Sequence, residues 1–314
     1  MSRAFVFPGQ GSQAVGMGKD LADAFTVARE VFEEVDEALS QKLSTIMFEG
    51  PDDQLVLTEN AQPALMAVSI AVARVLETEG NIKLADHCDM VAGHSLGEYS
   101  ALAAMGAFSV ADTARLLKIR GKAMQAAVPV GEGAMAACLG LSLEDAQAVA
   151  AEAAQGDEVC TAANDNAPGQ VVLSGSKAAI ERAIGLAKEK GAKRSVLLPV
   201  SAPFHCALMQ PAADAMAEAL AGVSINAPAV PVVANVAAEK ITDPEEIRKL
   251  LVEQVCGSVR WREGVLYMKE QGVEQLVEVG TGKVLSGLAR RIDRSLTGVA
   301  VNGPADIESF LGSL

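Results

Sequence analysis

The sequence is short of aromatic residues and of positive charge. Phe, Trp and Tyr make up 4% of the 314 residues, so a core has to be built mainly from Ala, Val, Leu, Ile and Met, and a hydrophobic content of 50% provides enough of them. With a net charge of −14, the chain would be repelled by phosphate backbones and by anionic membrane surfaces. Nucleic-acid binding and membrane binding are therefore not expected, and an anionic ligand or partner would need local positive charge.

Paired cysteines and long apolar runs are also missing. The five cysteines are scattered and none forms a Cys-x-x-Cys pair, which is typical of reduced thiols in a cytosolic protein and not of a zinc site. The longest apolar run, Ala64 to Ala73, is shorter than the roughly 18–20 residues that span a bilayer. The apolar stretch near the start is broken by Pro8 and Gly9 and is too short for a signal peptide. We therefore expect a cytoplasmic protein without a metal ion.

Alternating strand-like and helix-like segments predict an α/β fold. Between residues 133 and 199, the order strand-helix-strand-strand-helix-strand is that of the ferredoxin-like unit. We therefore predict a large domain, residues 1–128 and 200–314, into which a small ferredoxin-like domain, residues 129–199, is inserted.

Hydrophobic periodicity also predicts the individual elements. Strands are expected at residues 4–7, 89–92, 133–139, 159–163, 170–174, 194–200, 230–234 and 275–279. Helices are expected at residues 18–46, 61–77, 98–107, 111–128, 141–154, 177–190, 206–221, 244–255, 261–270 and from Gly282 onward. A turn is expected at residues 166–169.

The strongest chemical signal is the pentapeptide Gly93-His94-Ser95-Leu96-Gly97. It matches G-x-S-x-G, the nucleophile elbow, in which a serine sits on a strained turn between a strand and a helix. The free amides and positive dipole end of the following helix favour negative charge there, and the amide of Leu96 is the natural first donor to an oxyanion. An ordinary glycine-rich turn is the alternative interpretation.

A serine hydroxyl needs a base, and the chain offers His87, His94 and His205. His94 precedes Ser95 directly, so their side chains should diverge, and His87 lies in a polar loop. By elimination His205 is predicted to be the base, although it could instead cap the helix that follows it.

An acid that would orient His205 does not stand out. Glu278 or Asp243 could be proposed, but neither has a supporting context. A backbone or side-chain carbonyl group could orient the imidazole instead.

Two further patterns remain open. The turn Gly9-Gln10-Gly11-Ser12-Gln13 could supply a second oxyanion donor. Neither this turn nor Gly280-Thr281-Gly282-Lys283 has the spacing of a nucleotide-binding loop.

Arg120 shares a helix face with Leu116 and Leu117, and an arginine on an apolar face needs a carboxylate partner or a ligand. A structural salt bridge and a contact with substrate both fit Arg120.

Taken together, these residues resemble the malonyl-CoA:acyl carrier protein transacylases of fatty-acid synthesis. The resemblance covers essentially the whole chain and depends on seven segments in order. They are FPGQGSQ (7–13), GHSLGEYS (93–100), KIRGKAMQ (118–125), NDNAPGQVVLSG (164–175), SAPFHCALM (201–209), EQVCGSVRW (253–261) and EVGTGKVLSGL (278–288).

The resemblance implies an α/β-hydrolase-like large domain, a ferredoxin-like small domain and a set of site residues. In the family, the residues that match Ser95 and His205 are the nucleophile and its base, and the arginine that matches Arg120 binds the malonyl carboxylate. The amides that match Gln10 and Leu96 form the oxyanion hole. The glutamine that matches Gln254 orients the histidine through its backbone carbonyl, and Asn166 lies near the active site. Phe204 fits the malonyl-type pattern and not the methylmalonyl-type one.

The same resemblance implies malonyl-CoA and the phosphopantetheine of acyl carrier protein as substrates, with no further cofactor, and we expect a monomer. Since carrier proteins are acidic, docking would need a basic patch, for which Lys193-Arg194 and Lys283 with Arg290-Arg291 are candidates, although solvated surface charge explains them equally well. A serine esterase or thioesterase, and a non-enzymatic subunit that binds carrier protein, are the rival interpretations.

Overall fold

A computed structural model describes residues 2–200 and 202–314, so Ser201 of the segment SAPFHCALM lies outside the described residues. The strands form two separate sheets. They are β1 (Arg3–Phe7), β2 (Met90–Gly93), β3 (Gly133–Leu139), β4 (Cys160–Ala167), β5 (Gln170–Ser176), β6 (Arg194–Leu197), β7 (Val232–Val233), β8 (Lys240–Ile241), β9 (Gln275–Val279) and β10 (Thr297–Val301).

The larger sheet has the order β10-β9-β1-β2-β7-β8. Its strands are parallel, except that β8 runs antiparallel to β7. Because β1, β2 and β7 are neighbours and parallel, the loops that follow them emerge at one edge of the sheet, where ligands of open α/β sheets usually bind.

The smaller sheet has the order β4-β5-β3-β6 and is antiparallel throughout. With one helix between β3 and β4 and another between β5 and β6, this is the ferredoxin-like arrangement. The prediction of an α/β fold with a ferredoxin-like unit is therefore confirmed, whereas the domain boundaries at 128/129 and 199/200 stay a prediction.

Helices cover both sheets. They are α1 (Lys19–Ala24), α2 (Thr26–Leu39), α3 (Leu43–Glu49), α4 (Asp52–Leu55), α5 (Thr58–Gly80), α6 (Leu96–Ala104), α7 (Val110–Ala126), α8 (Leu143–Ala153), α9 (Lys177–Glu189), α10 (Gln210–Ala221), α11 (Pro244–Cys256), α12 (Trp261–Glu270), α13 (Val284–Ile292) and α14 (Pro304–Leu311). Within the described residues, no helix is long and apolar enough to cross a membrane.

The prediction of one helix over residues 18–46 is wrong. Phe25 is extended, with φ −128° and ψ 123°, and separates α1 from α2. Ser40 has a left-handed backbone, with φ 48°, and ends α2 before α3 begins. The apolar residues keep a helical spacing across both breaks because all three helices bury one face in the same core.

The prediction of a single helix from Gly282 onward is also wrong. Helix α13 ends where Asp293 becomes extended, and β10 and α14 follow it. The sequence of β10, TGVAV, is short and begins with a small polar residue and a glycine, so its strand signal is weak.

The turn expected at residues 166–169 is shorter than predicted. Strand β4 continues to Ala167 through two irregularities in its pairing with β5, so Asn166 lies in the strand. Pro168 and Gly169 alone make the turn, and Gly169 has φ 72°. The remaining predicted elements are present, with their ends shifted by a few residues.

Candidate active site

Ser95 lies on the turn between β2 and α6, as the elbow motif predicts. Its backbone has φ 54° and ψ −111°, a conformation that L-residues rarely adopt. The two flanking glycines permit the turn, since a Cβ atom on Gly93 would lie 1.9 Å from the Gly97 carbonyl group and one on Gly97 would lie 2.2 Å from the carbonyl oxygen of Phe7. The interpretation as an ordinary glycine-rich turn does not account for this strain.

His205 meets Ser95 from a distant part of the chain. The distance between Ser95 Oγ and His205 Nε2 is 2.8 Å, and that between His205 Nδ1 and the carbonyl oxygen of Gln254 is also 2.8 Å. Since a carbonyl oxygen only accepts, Nδ1 carries the proton, and Nε2 is left free to accept the proton of the Ser95 hydroxyl. The geometry therefore suits a base and a nucleophile.

The two carboxylates considered as partners of His205 bind elsewhere. Asp243 caps α11 by accepting a hydrogen bond from the amide of Glu246. Glu278 is buried and accepts hydrogen bonds from both the amide and the hydroxyl group of Ser286. A backbone carbonyl group takes the place of the triad acid.

His205 is buried, and its surroundings keep it neutral. Burial lowers the pKa of His205 to about 3, and the positive charge of Arg120 acts in the same direction. At neutral pH the imidazole is therefore unprotonated, which is the form that a general base requires.

Arg120 is buried on α7 among neutral partners. It donates hydrogen bonds to Gln62 Oε1 at 2.9 Å, to Gln254 Oε1 at 2.9 Å and to Ser95 Oγ at 3.0 Å. Among residues 2–200 and 202–314, no carboxylate lies within salt-bridge distance of its guanidinium group. A structural salt bridge therefore does not explain Arg120, and a buried cation without an ion pair, 3.0 Å from the Ser95 hydroxyl group, is suited to an anionic substrate.

A cavity of about 550 Å³ opens above Ser95. Gln10 and Leu96 line it, together with Arg120, His205 and Phe204. The amide of Leu96 lies in the first turn of α6, where backbone amides have no partner within the helix. Both residues predicted to form the oxyanion hole therefore border the space in which a substrate carbonyl group would lie.

Asn166 contacts His94, the neighbour of Ser95, and not Ser95 itself. Its Oδ1 lies 2.8 Å from His94 Nε2, and the His94 ring packs beside Trp261. As predicted, the side chains of His94 and Ser95 diverge. Asn166 is thus placed to hold His94 at the edge of the cavity.

Sequence reasoning missed Gln62, Asn235 and Glu98. Gln62 is an Arg120 partner, Asn235 binds the amide of Ser95, and Glu98 binds Asn235. Asn235 directly follows the predicted strand 230–234, so its position at the same edge of the sheet was a usable signal. For Glu98 and Gln62, the sequence offers only a polar residue in a buried helix.

Within the described part of the chain, no group of three or more His, Cys, Asp or Glu side chains could hold a metal ion.

The chain is similar to known proteins over nearly its whole length. The family model for the acyl transferase domain matches residues 4–300. The malonyl CoA-acyl carrier protein transacylase of Escherichia coli (strain K12) is 49% identical over 308 residues, which are 98% of each chain.

Two solved structures are similar over the whole fold. The acyl-carrier-protein-S-malonyltransferase from Bartonella henselae has 57% identity and a TM-score of 0.97, with 100% of this chain and 99% of that chain covered. A malonyl-transacylase in complex with its type II PKS acyl-carrier protein has 44% identity and a TM-score of 0.96, with 100% of each chain covered.

Proposed function

The chain belongs to the acyl transferase family, and on that premise we propose that it transfers a malonyl group from malonyl-CoA to the phosphopantetheine thiol of acyl carrier protein in fatty-acid biosynthesis. The observation that carries the proposal is the contact of a buried, carboxylate-free Arg120 with the Ser95 hydroxyl group. A thioester that also carries a free carboxylate matches both groups at once, since the thioester can react with Ser95 and the carboxylate can bind Arg120.

The first half of the reaction loads the enzyme. His205 Nε2 takes the proton of Ser95 Oγ as the oxygen attacks the thioester carbonyl carbon, and the resulting oxyanion accepts hydrogen bonds from the amides of Gln10 and Leu96. The C–S bond then breaks, His205 gives its proton to the departing thiolate, and coenzyme A leaves. A malonyl ester remains on Ser95.

The second half reverses these roles. The phosphopantetheine thiol gives its proton to His205 and attacks the ester carbonyl carbon, and the same two amides hold the oxyanion. The C–O bond breaks, His205 returns the proton to Ser95 Oγ, and the malonyl thioester leaves with the carrier protein. Because coenzyme A leaves before the acceptor thiol reacts, and the malonyl group waits as an ester on Ser95, we propose a ping-pong mechanism.

Arg120 would supply selectivity for the acyl group. Its guanidinium fork matches a carboxylate with two parallel hydrogen bonds, whereas an acetyl group would leave the buried cation unpaired. Asn166 would support the cavity edge through His94, and Gln254 would orient His205 through its carbonyl group.

The shape of the cavity supports a long thioester substrate. A second cavity, of about 570 Å³, borders the first, and the two share five lining residues: Gln10, Val56, Leu198, Pro199 and Val200. Its walls are mainly apolar and include Lys177. We propose that the pantetheine arm lies along these walls.

Mass spectrometry after incubation with malonyl-CoA tests the proposal most directly. We expect a malonyl adduct on Ser95 that persists until carrier protein is added, and no adduct on Ser95→Ala. Rapid release of coenzyme A without a thiol acceptor would show a thioesterase instead. An unreactive Ser95 would favour a non-enzymatic subunit that binds carrier protein.

Carrier-protein docking requires local basic surface on this acidic chain. The side chains of Lys193, Arg194, Lys283, Arg290 and Arg291 are exposed. We propose that one of these two groups receives the carrier protein. Charge reversal there should raise the KM for carrier protein and leave the use of coenzyme A unchanged, and an unchanged KM would discard that group.

The compartment and the oligomeric state belong to the same proposal. All five cysteines are free thiols in the structure, which suits a reducing compartment, and we propose that the reaction takes place in the cytoplasm. One chain holds every residue that the two half-reactions use, so we propose that the monomer is active.

A further inference from the structure

Two buried side chains that take no part in these proton transfers lie directly beneath the elbow. Asn235 follows β7, and its Oδ1 accepts a hydrogen bond from the amide of Ser95 at 2.7 Å. Its Nδ2 donates to the carbonyl oxygen of Gly93, also at 2.7 Å. Asn235 therefore binds both sides of the strained turn and holds the backbone of Ser95 in place.

Glu98 holds Asn235 in turn. One oxygen of its carboxyl group, Oε2, accepts hydrogen bonds from the amide of Asn235 at 2.9 Å and from Gln254 Nε2 at 3.0 Å. Glu98 is 1% exposed, so water does not replace these bonds. The same oxygen thus joins the loop after β7 to helix α11.

The contact with Glu98 also determines how the Gln254 amide group is turned. Its Nε2 donates to Glu98 Oε2 and to the carbonyl oxygen of Ser95, which leaves Oε1 to accept from Arg120 at 2.9 Å. Without an acceptor at Glu98, the amide group could rotate and present hydrogen atoms to the Arg120 cation. The backbone of the same Gln254 holds His205.

We propose that Glu98 is a positioning residue for this reaction, which fixes the nucleophile through Asn235 and fixes the base and the substrate arginine through Gln254. The inference rests on the proposed function only for the identity of the substrate. It assigns to Glu98 a part in the geometry of the site and no proton transfer.

The free-energy cost of this arrangement supports a functional origin. Burial raises the pKa of Glu98 to about 7, although the amide of Asn235, Gln254 and the charge of Arg120 all act in the opposite direction. A buried carboxyl group is expensive, and such groups concentrate at functional sites.

The chain offers a matched control in Glu278. This carboxyl group is also fully buried, and its Oε2 also accepts one backbone amide and one side-chain hydrogen bond, in this case both from Ser286. Its partners lie on α13 and not around Ser95 or His205. Variants of Glu278 therefore report the structural cost of losing a buried carboxyl group.

The experiment compares Glu98→Ala and Glu98→Gln with Glu278→Ala and Glu278→Gln. One measurement is the rate at which malonyl-CoA acylates Ser95 under saturating, single-turnover conditions. The other is the rate at which an uncharged fluorophosphonate labels Ser95, which needs no malonyl carboxylate and no coenzyme A. Melting temperatures of all four variants identify those that have lost the fold.

We expect Glu98→Ala to slow both reactions by roughly 100-fold, because a displacement of about 1 Å at the reacting atoms has that effect. Glu98→Gln keeps an oxygen at the same place and should recover most of the rate. Both Glu278 variants should stay within about threefold of the unsubstituted enzyme, a change too small to report lost transition-state contacts.

The inference is overturned when folded Glu98→Ala labels Ser95 as fast as Glu278→Ala does, or when Glu98→Gln labels no faster than Glu98→Ala. If Glu98→Ala does not fold, Glu98→Leu and Glu278→Leu take its place: slower labelling of folded Glu98→Leu than of Glu278→Leu supports the inference, and equal labelling overturns it. Failure of the proposed function looks different, since malonyl-CoA would then fail to acylate the unsubstituted enzyme while the fluorophosphonate still labels it.

Discussion

Two arginines in this protein lie in opposite surroundings. Arg262, on α12, holds the carboxylate of Asp165 with its Nε at 3.0 and 2.9 Å from the two oxygens and its Nη2 at 2.8 Å. Arg120 is more deeply buried, yet its partners are two amide oxygens and a hydroxyl group. One guanidinium group has its carboxylate within the fold, and the other has none within the described residues.

The difference also appears in the proton affinity of the two groups. Hydrogen bonding to Asp165 raises the pKa of Arg262, whereas burial lowers the pKa of Arg120. Burying a cation costs free energy unless an anion offsets it. The malonyl carboxylate that we propose as the ligand would supply that negative charge to Arg120. Arg262 instead joins β4 of the small sheet to α12 beside the large one.

Replacing Arg120 with alanine should have the largest effect. We expect the rate of malonyl transfer to fall by about 10³-fold relative to that of acetyl transfer, because a bidentate, desolvated contact with a carboxylate is lost. The measurement is kcat/KM for malonyl-CoA and for acetyl-CoA. Equal losses with both substrates would remove the proposed contact between Arg120 and the malonyl carboxylate.

Replacing Arg262 with methionine should lower the free energy of unfolding and leave the preference for malonyl over acetyl transfer unchanged. Asp165 is 2% exposed and would lose the cation that forms its ion pair, which we expect to lower the free energy of unfolding by about 3 kcal/mol. Asp165→Asn should cost less, about 1 kcal/mol, because the Arg262 side chain is partly exposed and water can replace its partner. Urea unfolding measures both values, and an altered ratio of malonyl to acetyl transfer would contradict this division of roles.

The sequence predicted much of the site and less of the fold around it. Ser95, His205 and Gln10 could be predicted to meet at one site because each follows a strand-like run in a recognisable motif, and the order of strands and helices predicted the ferredoxin-like unit. The breaks at Phe25 and Ser40 could not be predicted, since one apolar face continues through all three helices. Such breaks follow from packing against the core and not from local preference.

The layer beneath the site shows a second limit of sequence reasoning. Glu98 and Gln254 lie on helices where a polar residue normally faces water, and only the tertiary structure buries them against each other. Whether Arg120 had a carboxylate partner likewise depended on contacts distant in sequence.

Replacing Arg120 with lysine should give an intermediate loss. Lysine keeps the charge, but it lacks the planar fork that holds Gln62, Gln254 and a carboxylate together. We expect kcat/KM for malonyl-CoA to fall by roughly 30-fold, which corresponds to about 2 kcal/mol. The matched change Arg262→Lys should leave kcat/KM for malonyl-CoA unaltered. If Arg120→Lys loses as much as Arg120→Ala does, the geometry of the guanidinium group matters more than its charge.

The smallest effect that we expect is a displacement of the pH profile. Besides burial, the charge of Arg120 lowers the pKa of His205, so Arg120→Gln should raise it. His205 accepts a proton only when it is neutral, and reactivity is therefore lost as the pH falls through this pKa. The acid limb of fluorophosphonate labelling should then move to higher pH in Arg120→Gln and stay in place in Arg262→Gln. If the acid limb lies at the same pH in Arg120→Gln and Arg262→Gln, burial alone keeps His205 neutral. Arg120 would then act on the substrate and not on the base.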